Sequence, residues 1–277
     1  MFGKNLGSLP AQMYTAMKKI ELIKLDHSVK IGDVCGQITP NVTEDCIFTH
    51  EGQAVGFYLR SLTTKGQQLA NIANLELRSK SVPKTMMDRK RPDGVDENGN
   101  KKYLVVSQYS TIIGSVPPKP HMRRPYPTIS SVHGVKSAQT FIKAMLMLCK
   151  ESEGIIRDIM PEQYEAQKKL LERTDKKWRF GDLFTSSISN YNIPAPFHRD
   201  AANIIGAVNV IITKRENSIG GNLNIPDYGA TIDQCNNSIL VYPAWRNMHG
   251  VTPIEPTKEG GYRNSLVFYP LKSFENV

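Results

Sequence analysis

A chain of 277 residues with 40% hydrophobic content is long enough for one large domain with a real core, and no apolar run approaches the roughly 20 residues of a membrane-spanning helix. Four cysteines, Cys35, Cys46, Cys149 and Cys235, are scattered without a CxxC pair, which argues against a zinc ribbon or a disulfide scaffold. The net charge of +9 permits a polyanionic partner without requiring one.

In chain order, the first 25 residues hold no apolar signal segment, so a cytoplasmic protein with no membrane partner is expected. The first hundred residues read as mixed strands and loops. Segments 54–62 (AVGFYLRSL) and 104–113 (LVVSQYSTII) are rich in β-branched and aromatic residues and are expected as strands. Between them, 91–100 (RPDGVDENGN) reads as a turn-rich loop. Over 78–124, eleven Lys and Arg stand against four acids, so this stretch holds seven of the nine excess charges. Within it, 117–127 (PPKPHMRRPYP) cannot continue a helix or a central strand and is expected to run extended over the surface. It presents Arg123 and Arg124 beside His121 and Tyr126, a mix able to meet phosphates and bases; a rigid connector is the plainer reading.

Helix follows. Ser137 is expected as the N-cap of a helix with Phe141, Ala144, Met145 and Leu148 on one face, and a second helix is expected from Pro161 to about Thr174. From Trp178 the texture changes to short β-type runs broken by Gly, Pro and Asn, with 204–213 (IIGAVNVIIT), 238–242 (SILVY) and 265–269 (SLVFY) the clearest. The whole reads as an α+β chain with a jelly-roll core and supporting helices. We divide its single domain, 1–277, into an N-terminal mixed region (1–135), supporting helices (136–177) and a jelly-roll half carrying the site (178–277).

The chemistry lies in that last part. His198 and Asp200 stand two apart in PFHRD, and residues i and i+2 of extended backbone point the same way. His249, in WRNMHG, supplies a third ligand after the strand SILVY. Two histidines and one carboxylate on one face of an ion leave positions open, the pattern of non-haem Fe(II) oxygenases. Zinc accepts the same ligand types, so a zinc hydrolase is the chemical rival. Arg263 and Ser265 have no task in a hydrolase, whereas on one strand face they provide a fork and a hydroxyl for a carboxylate such as the distal one of 2-oxoglutarate. Gly220 and Gly221 fall where such a barrel needs a tight turn.

HRDAANIIGAVNVIITKREN (198–217), HGVTP (249–253) and RNSLVFY (263–269) together resemble the TET/JBP family of DNA 5-methylpyrimidine oxygenases. More loosely, VSQYSTIIGSVPPKPHMRRPYPTISSVH (106–133) is similar to the upstream region of compact members from phages and protists. The resemblance implies a double-stranded β-helix, iron on His198, Asp200 and His249, and 2-oxoglutarate on Arg263 with Ser265 in support, with O2 as co-substrate. It also implies that Asn203 contacts a flipped pyrimidine and that Tyr269 lies against the base or the co-substrate. The family's His two positions after the strand's Tyr is Leu271 here, and the Cys-rich extension of animal members is absent, which points to a bacterium or a phage-infected cell.

The implied activity is hydroxylation of the 5-methyl group of a pyrimidine in DNA, 5-methylcytosine ahead of thymine. Arg123 and Arg124, with some of Lys84, Arg89, Lys90 and Arg91, are expected to grip the phosphates. The alternatives are the same chemistry on a nucleoside, small metabolite or protein side chain, or a non-catalytic DNA-binding module on this fold. No protein partner can be inferred.

Overall fold

Alternation within the strands sorts their side chains onto two faces. In Asn209–Glu216, Val210 and Ile212 point one way, while Asn209, Ile211, Thr213 and Arg215 point the other. The flanking strands Ile239–Tyr242 and Tyr262–Tyr269 pair with it antiparallel and divide likewise. Ile239, Val241, Leu266 and Phe268 join the outer face; Leu240, Tyr242, Arg263, Ser265 and Tyr269 share the inner one.

The computed structural model describes residues 17–277, so the first sixteen residues of the expected N-terminal mixed region lie outside the described residues. The large sheet runs, neighbour to neighbour, Lys18–Glu21, Cys46–His50, Gln53–Leu59, Ile239–Tyr242, Asn209–Glu216, Tyr262–Tyr269, Ser186–Tyr191, Tyr109–Val116 and Thr85–Met86, with Thr128–Ile129 also on Tyr109–Val116. A second sheet, Ala195–His198, His249–Val251, Leu223–Ile225 and Ala230–Ile232, packs on its inner face through Leu223, Ile225 and Ile232 against Phe48, Tyr58, Leu240 and Tyr242. This is the double-stranded β-helix of an α+β protein, as expected.

Among the described residues three helices support it: α1 (Thr64–Arg78), α2 (Gln139–Ile159) and α3 (Pro161–Leu171). Leu69, Ala73 and Leu77 of α1 and Phe141, Met145, Leu148 and Ile156 of α2 merge with the sheet's outer face into one core. Each buried Leu or Phe there contributes about 1.5–3 kcal/mol.

Several local expectations change. Helix α1 falls in a region read as strands and loops. Gly66, Asn71 and Asn74 weaken its intrinsic propensity, yet Thr63 caps it by accepting from the Gly66 amide (3.0 Å) and its apolar stripe has sheet to bury against. The expected strand 104–113 is two strands, Lys101–Val106 and Tyr109–Val116, split where Gln108 turns inward and donates Nε2 to the Asn192 carbonyl (2.6 Å). The first pairs with Arg89–Val95 in a separate ribbon, so most of the expected 91–100 loop belongs to a hairpin; Asp96 builds its turn by accepting from the amides of Asn98 and Asn100. Stretch 117–127 does not stay extended. Pro120–Met122 forms a 3-10 turn, closed by mutual backbone bonds between Lys119 and Arg124. Ser137 does not cap α2, which continues from the 3-10 turn Lys136–Ala138; its hydroxyl donates to the Ser81 carbonyl instead. The strand expected from 204 begins only at Asn209.

Candidate active site

His198 ends the strand Ala195–His198 and His249 begins the strand His249–Val251, and the two are direct partners across the antiparallel pair. Their ring centroids lie 4.3 Å apart. Each Nδ1 is turned away from the centre: His198 donates to the Pro196 carbonyl (2.8 Å) and His249 to the Asn247 carbonyl (2.9 Å). Those bonds select the tautomer whose Nε2 carries the lone pair, as a metal ligand requires. Asp200 completes the group, with Oδ1 3.5 Å from His198 Nε2 and 3.9 Å from His249 Nε2, and one ligand atom from each of the three lies within 4.8 Å of the others.

Electrostatics agree with this arrangement. Burial lowers the His249 pKa and favours the neutral ring. The hydrogen bond with Asp200 raises that of His198. Burial works to raise Asp200, but His198, the charge of His249 and the Asn203 amide outweigh it and hold the carboxyl below its usual range. Asp200 Oδ2 is already occupied by the Nδ2 groups of Asn209 (3.0 Å) and Asn203 (3.4 Å), which leaves Oδ1 facing the histidines.

A second polar centre lies on the inner face of the large sheet. Arg263 is 2% exposed, and its backbone is clamped on both sides by Asn192, which accepts from the Arg263 amide (2.9 Å) and donates its own amide to the Arg263 carbonyl (2.8 Å). The aliphatic stem passes over Gly221, which has φ +68°; a Cβ there would meet Arg263 Cδ at 3.2 Å and Ile254 Cγ1 at 3.0 Å. Ser265 follows on the same face, opposite Thr213. Arg263 has no carboxylate partner among the described residues, and its Nε, fully buried, has no hydrogen-bond partner there either. Burial and then the charge of Arg215 push its pKa down to about 9. Tyr242 links the two centres: its ring stands edge-on to His249 at 5.3 Å, and its hydroxyl feels the charges of both Asp200 and Arg263.

The other expected site residues scatter. Asn203 is 3% exposed; its amide donates to Asn209 Oδ1 (2.9 Å) and Asp200 Oδ2, so it braces the carboxylate where a base contact was expected. A β-bridge joins it to Leu271, which brings two expected base-side positions together. Tyr269 is half-buried, and after burial the Asp200 charge raises its pKa. Arg123, Arg124, Arg89 and Lys90 are exposed, while the Arg91 side chain lies outside the described residues. Lys84 is not available to a phosphate. Its Nζ donates to the Leu77 and Ser79 carbonyls at the end of α1 and sits 4.6 Å from the Tyr109 ring centroid. Asn209, Tyr242, Asn192, Thr213 and Gln234 escaped the sequence reading. The only signal was polar residues alternating with Val210 and Ile212, which marks a face without saying what it faces.

The sequence pattern of the Tet/JBP family, the oxygenase domain of the 2OGFeDO superfamily, matches residues 118–272, more than half of the chain. The chain belongs to the Tet/JBP family. Among curated proteins none matches it. Among solved structures it is similar to NgTET1 in complex with 5mC DNA, at TM-score 0.56 and 11% identity over 89% of this chain and 85% of that one. Weaker likenesses are a 2OG-Fe(II) oxygenase family protein from Burkholderia pseudomallei (TM-score 0.39, 16% identity, 77% and 84% covered) and a Trichoplax adhaerens prolyl hydroxylase with a hypoxia inducible factor peptide (TM-score 0.38, 11%, 80% and 85%). At 11% identity the likeness to NgTET1 is one of fold.

A Tet/JBP oxygenase is an Fe(II)- and 2-oxoglutarate-dependent dioxygenase, and the residues present fit both groups. The converging imidazole nitrogens and carboxylate oxygen suit iron. The buried guanidinium without a counter-ion suits the distal carboxylate of 2-oxoglutarate, since an unpaired buried charge calls for an anion. Among the described residues of this Tet/JBP protein, no helix is long and apolar enough to cross a membrane.

Proposed function

We propose that this Tet/JBP oxygenase, read as one domain over 1–277, hydroxylates the 5-methyl group of a pyrimidine flipped out of DNA, with 5-methylcytosine preferred to thymine. The observation that carries the reading is the family match, which spans both the iron-ligand candidates and the exposed loop of Arg123 and Arg124. The similar fold of NgTET1, solved with 5mC DNA, supports the same substrate class.

In this reading His198, Asp200 and His249 hold the iron, and Arg263 and Ser265 take the distal carboxylate of 2-oxoglutarate. When bound, that pair supplies the oxidising power, using O2, placing one oxygen atom on the methyl group and releasing succinate and CO2. The protein's own task is geometric. The Nδ1 bonds of both histidines and the two amides on Asp200 fix the ligand atoms before metal arrives. Tyr242 and Tyr269 lie near enough to Asp200 to feel its charge, and Tyr242 stands edge-on to His249. A methyl group inside a duplex projects into the major groove and cannot reach this interior, so the base is extruded at a cost of a few kcal/mol. Phosphate contacts from Arg123 and Arg124 offset that cost.

The test incubates the protein with Fe(II), ascorbate and 2-oxoglutarate on one duplex rich in 5-methylcytosine and one methylated only as thymine, followed by nucleoside mass spectrometry. A gain of one oxygen on 5-methylcytosine, lost in His198→Ala, is expected. Turnover of 2-oxoglutarate with neither base changed would reject DNA and leave a nucleoside, metabolite or protein side chain as substrate.

A further inference from the structure

Arg263 is not alone. Arg215 stands directly opposite it across the antiparallel pair Asn209–Glu216 and Tyr262–Tyr269, so both stems leave the same inner face as neighbours. Like charges in that position repel, and among the described residues neither guanidinium has a carboxylate partner. One residue ties the two together, through its side chain and its backbone. Gln234 is fully buried; its Oε1 accepts from Thr213 Oγ1 (2.7 Å) and, at 3.5 Å, from Arg263 Nη2. Its backbone carbonyl accepts from Arg215 Nη1 (3.2 Å), and its amide N–H donates to Asn222 Oδ1 (3.2 Å). Its own Nε2, buried, has no partner among the described residues.

A carboxylate at this position would have the same shape and would neutralise Arg263. The chain places a neutral amide there. We propose that Gln234 is a positioning and selectivity residue of the co-substrate pocket: it orients Arg263 while leaving the charge of that guanidinium uncompensated, so that the distal carboxylate of 2-oxoglutarate becomes the missing counter-ion. This rests on the reading that Arg263 receives that carboxylate. The consequence is a trade between stability and binding. The ligand-free protein keeps a buried charge without a partner, and the co-substrate relieves it.

Gln234→Glu and Gln234→Met separate this role from simple packing. Binding of 2-oxoglutarate to the full chain loaded with Mn(II) is measured by calorimetry, and Tm is recorded with and without 2-oxoglutarate. Gln234→Glu is expected to raise the ligand-free Tm, to abolish the Tm gain from 2-oxoglutarate, and to weaken its binding about 100-fold or more, because the new carboxylate both occupies Arg263 and repels the ligand. Its Mn(II) affinity stays at the wild-type value. Gln234→Met is expected to weaken 2-oxoglutarate binding about tenfold because Arg263 is no longer oriented, with no rise in Tm. The proposal is overturned if Gln234→Glu binds 2-oxoglutarate as wild type does, or if its ligand-free Tm falls as a packing defect would make it fall. Absence of binding by the wild-type protein itself would overturn the co-substrate reading of Arg263 and this proposal together. Wild-type binding that disappears in Arg263→Leu but survives in Gln234→Glu would overturn this proposal alone.

Discussion

The candidate iron site depends on hydrogen bonds made one step behind the ligand atoms. His198 and His249 would be indifferent histidines if their Nδ1 atoms were free, since either nitrogen could then face the centre. Asp200 is held by Asn209 and, through the bond from the Asn203 amide to Asn209, by a short amide relay. Asn209→Ala removes the stronger of the two bonds to Oδ2 and leaves the Asn203 amide with its longer reach to the carboxylate. We expect metal affinity to fall about 10- to 100-fold, the usual effect of removing such a supporting group, together with a lower Tm because the buried Asn203 amide loses its nearer acceptor. Mn(II) titration by calorimetry measures this, and an unchanged affinity would mean that Asp200 holds its position unaided.

At the scale of elements, the sheet and the helices do separate work. Register between strands makes the site: direct pairing joins His198 to His249, Thr213 to Ser265 and Arg215 to Arg263. The helices back the sheet from its outer face, and α2 also anchors the turn that follows α3. There Glu153, buried, accepts from the amides of Asp182 (2.6 Å) and Leu183 (2.9 Å). Burial outweighs those bonds and raises its pKa to about 7 from an ordinary 4.5. Between those values the folded protein keeps a proton that the unfolded chain releases, so the associated stability is present below about pH 4.5 and is lost as pH rises through about 7. Glu153→Gln keeps an oxygen for the two amides and cannot ionise. Denaturant titrations at pH 5 and pH 7.5 should therefore show wild type losing on the order of 2–3 kcal/mol relative to the variant. Parallel pH profiles would show that Glu153 is charged throughout.

Over the whole molecule, the excess of positive charge is a field before it is a set of contacts. Two of the cations over 78–124 are engaged within the fold: Lys84 caps the end of α1, and the guanidinium of Arg78, an exposed residue, lies 4.1 Å from the Tyr262 ring centroid. Tyr262, Tyr191 and Tyr109 stack between these two cations, so part of the basic stretch stabilises the sheet, and the ammonium of Lys84 is occupied there. Arg123 and Arg124 remain exposed on a loop with a defined turn. Replacing both by Ala should weaken DNA binding and reduce the slope of log K against log salt by about 2, near 0.9 for each phosphate that is no longer neutralised. Fluorescence anisotropy on a short duplex over a salt series checks this; an unchanged slope would remove the loop from the interface.

The sequence by itself singled out the candidate site residues that the fold brings together. HRD, the histidine of MHG and the arginine of RNS are covalently spaced so that any fold placing them on adjacent strands assembles a ligand group and an anion fork, and strand alternation already put Arg263 and Ser265 on one face. The core stripes of α2 and the jelly-roll class were legible for the same reason: they are periodic, and periodicity is local. Only the tertiary structure decided the rest. Helix α1 forms against its own propensity because a sheet face waits for Leu69, Ala73 and Leu77. Lys84 turns inward because an unsatisfied helix end and an aromatic ring lie within its reach. Asn203 supports a carboxylate because the turn after the strand Ala195–His198 folds its amide back onto Asp200 and Asn209, and Gln234 spans two arginines because residues far apart in the chain are brought within hydrogen-bond distance. No spacing rule encodes that proximity, since a buried amide takes its role from whatever neighbours the fold supplies.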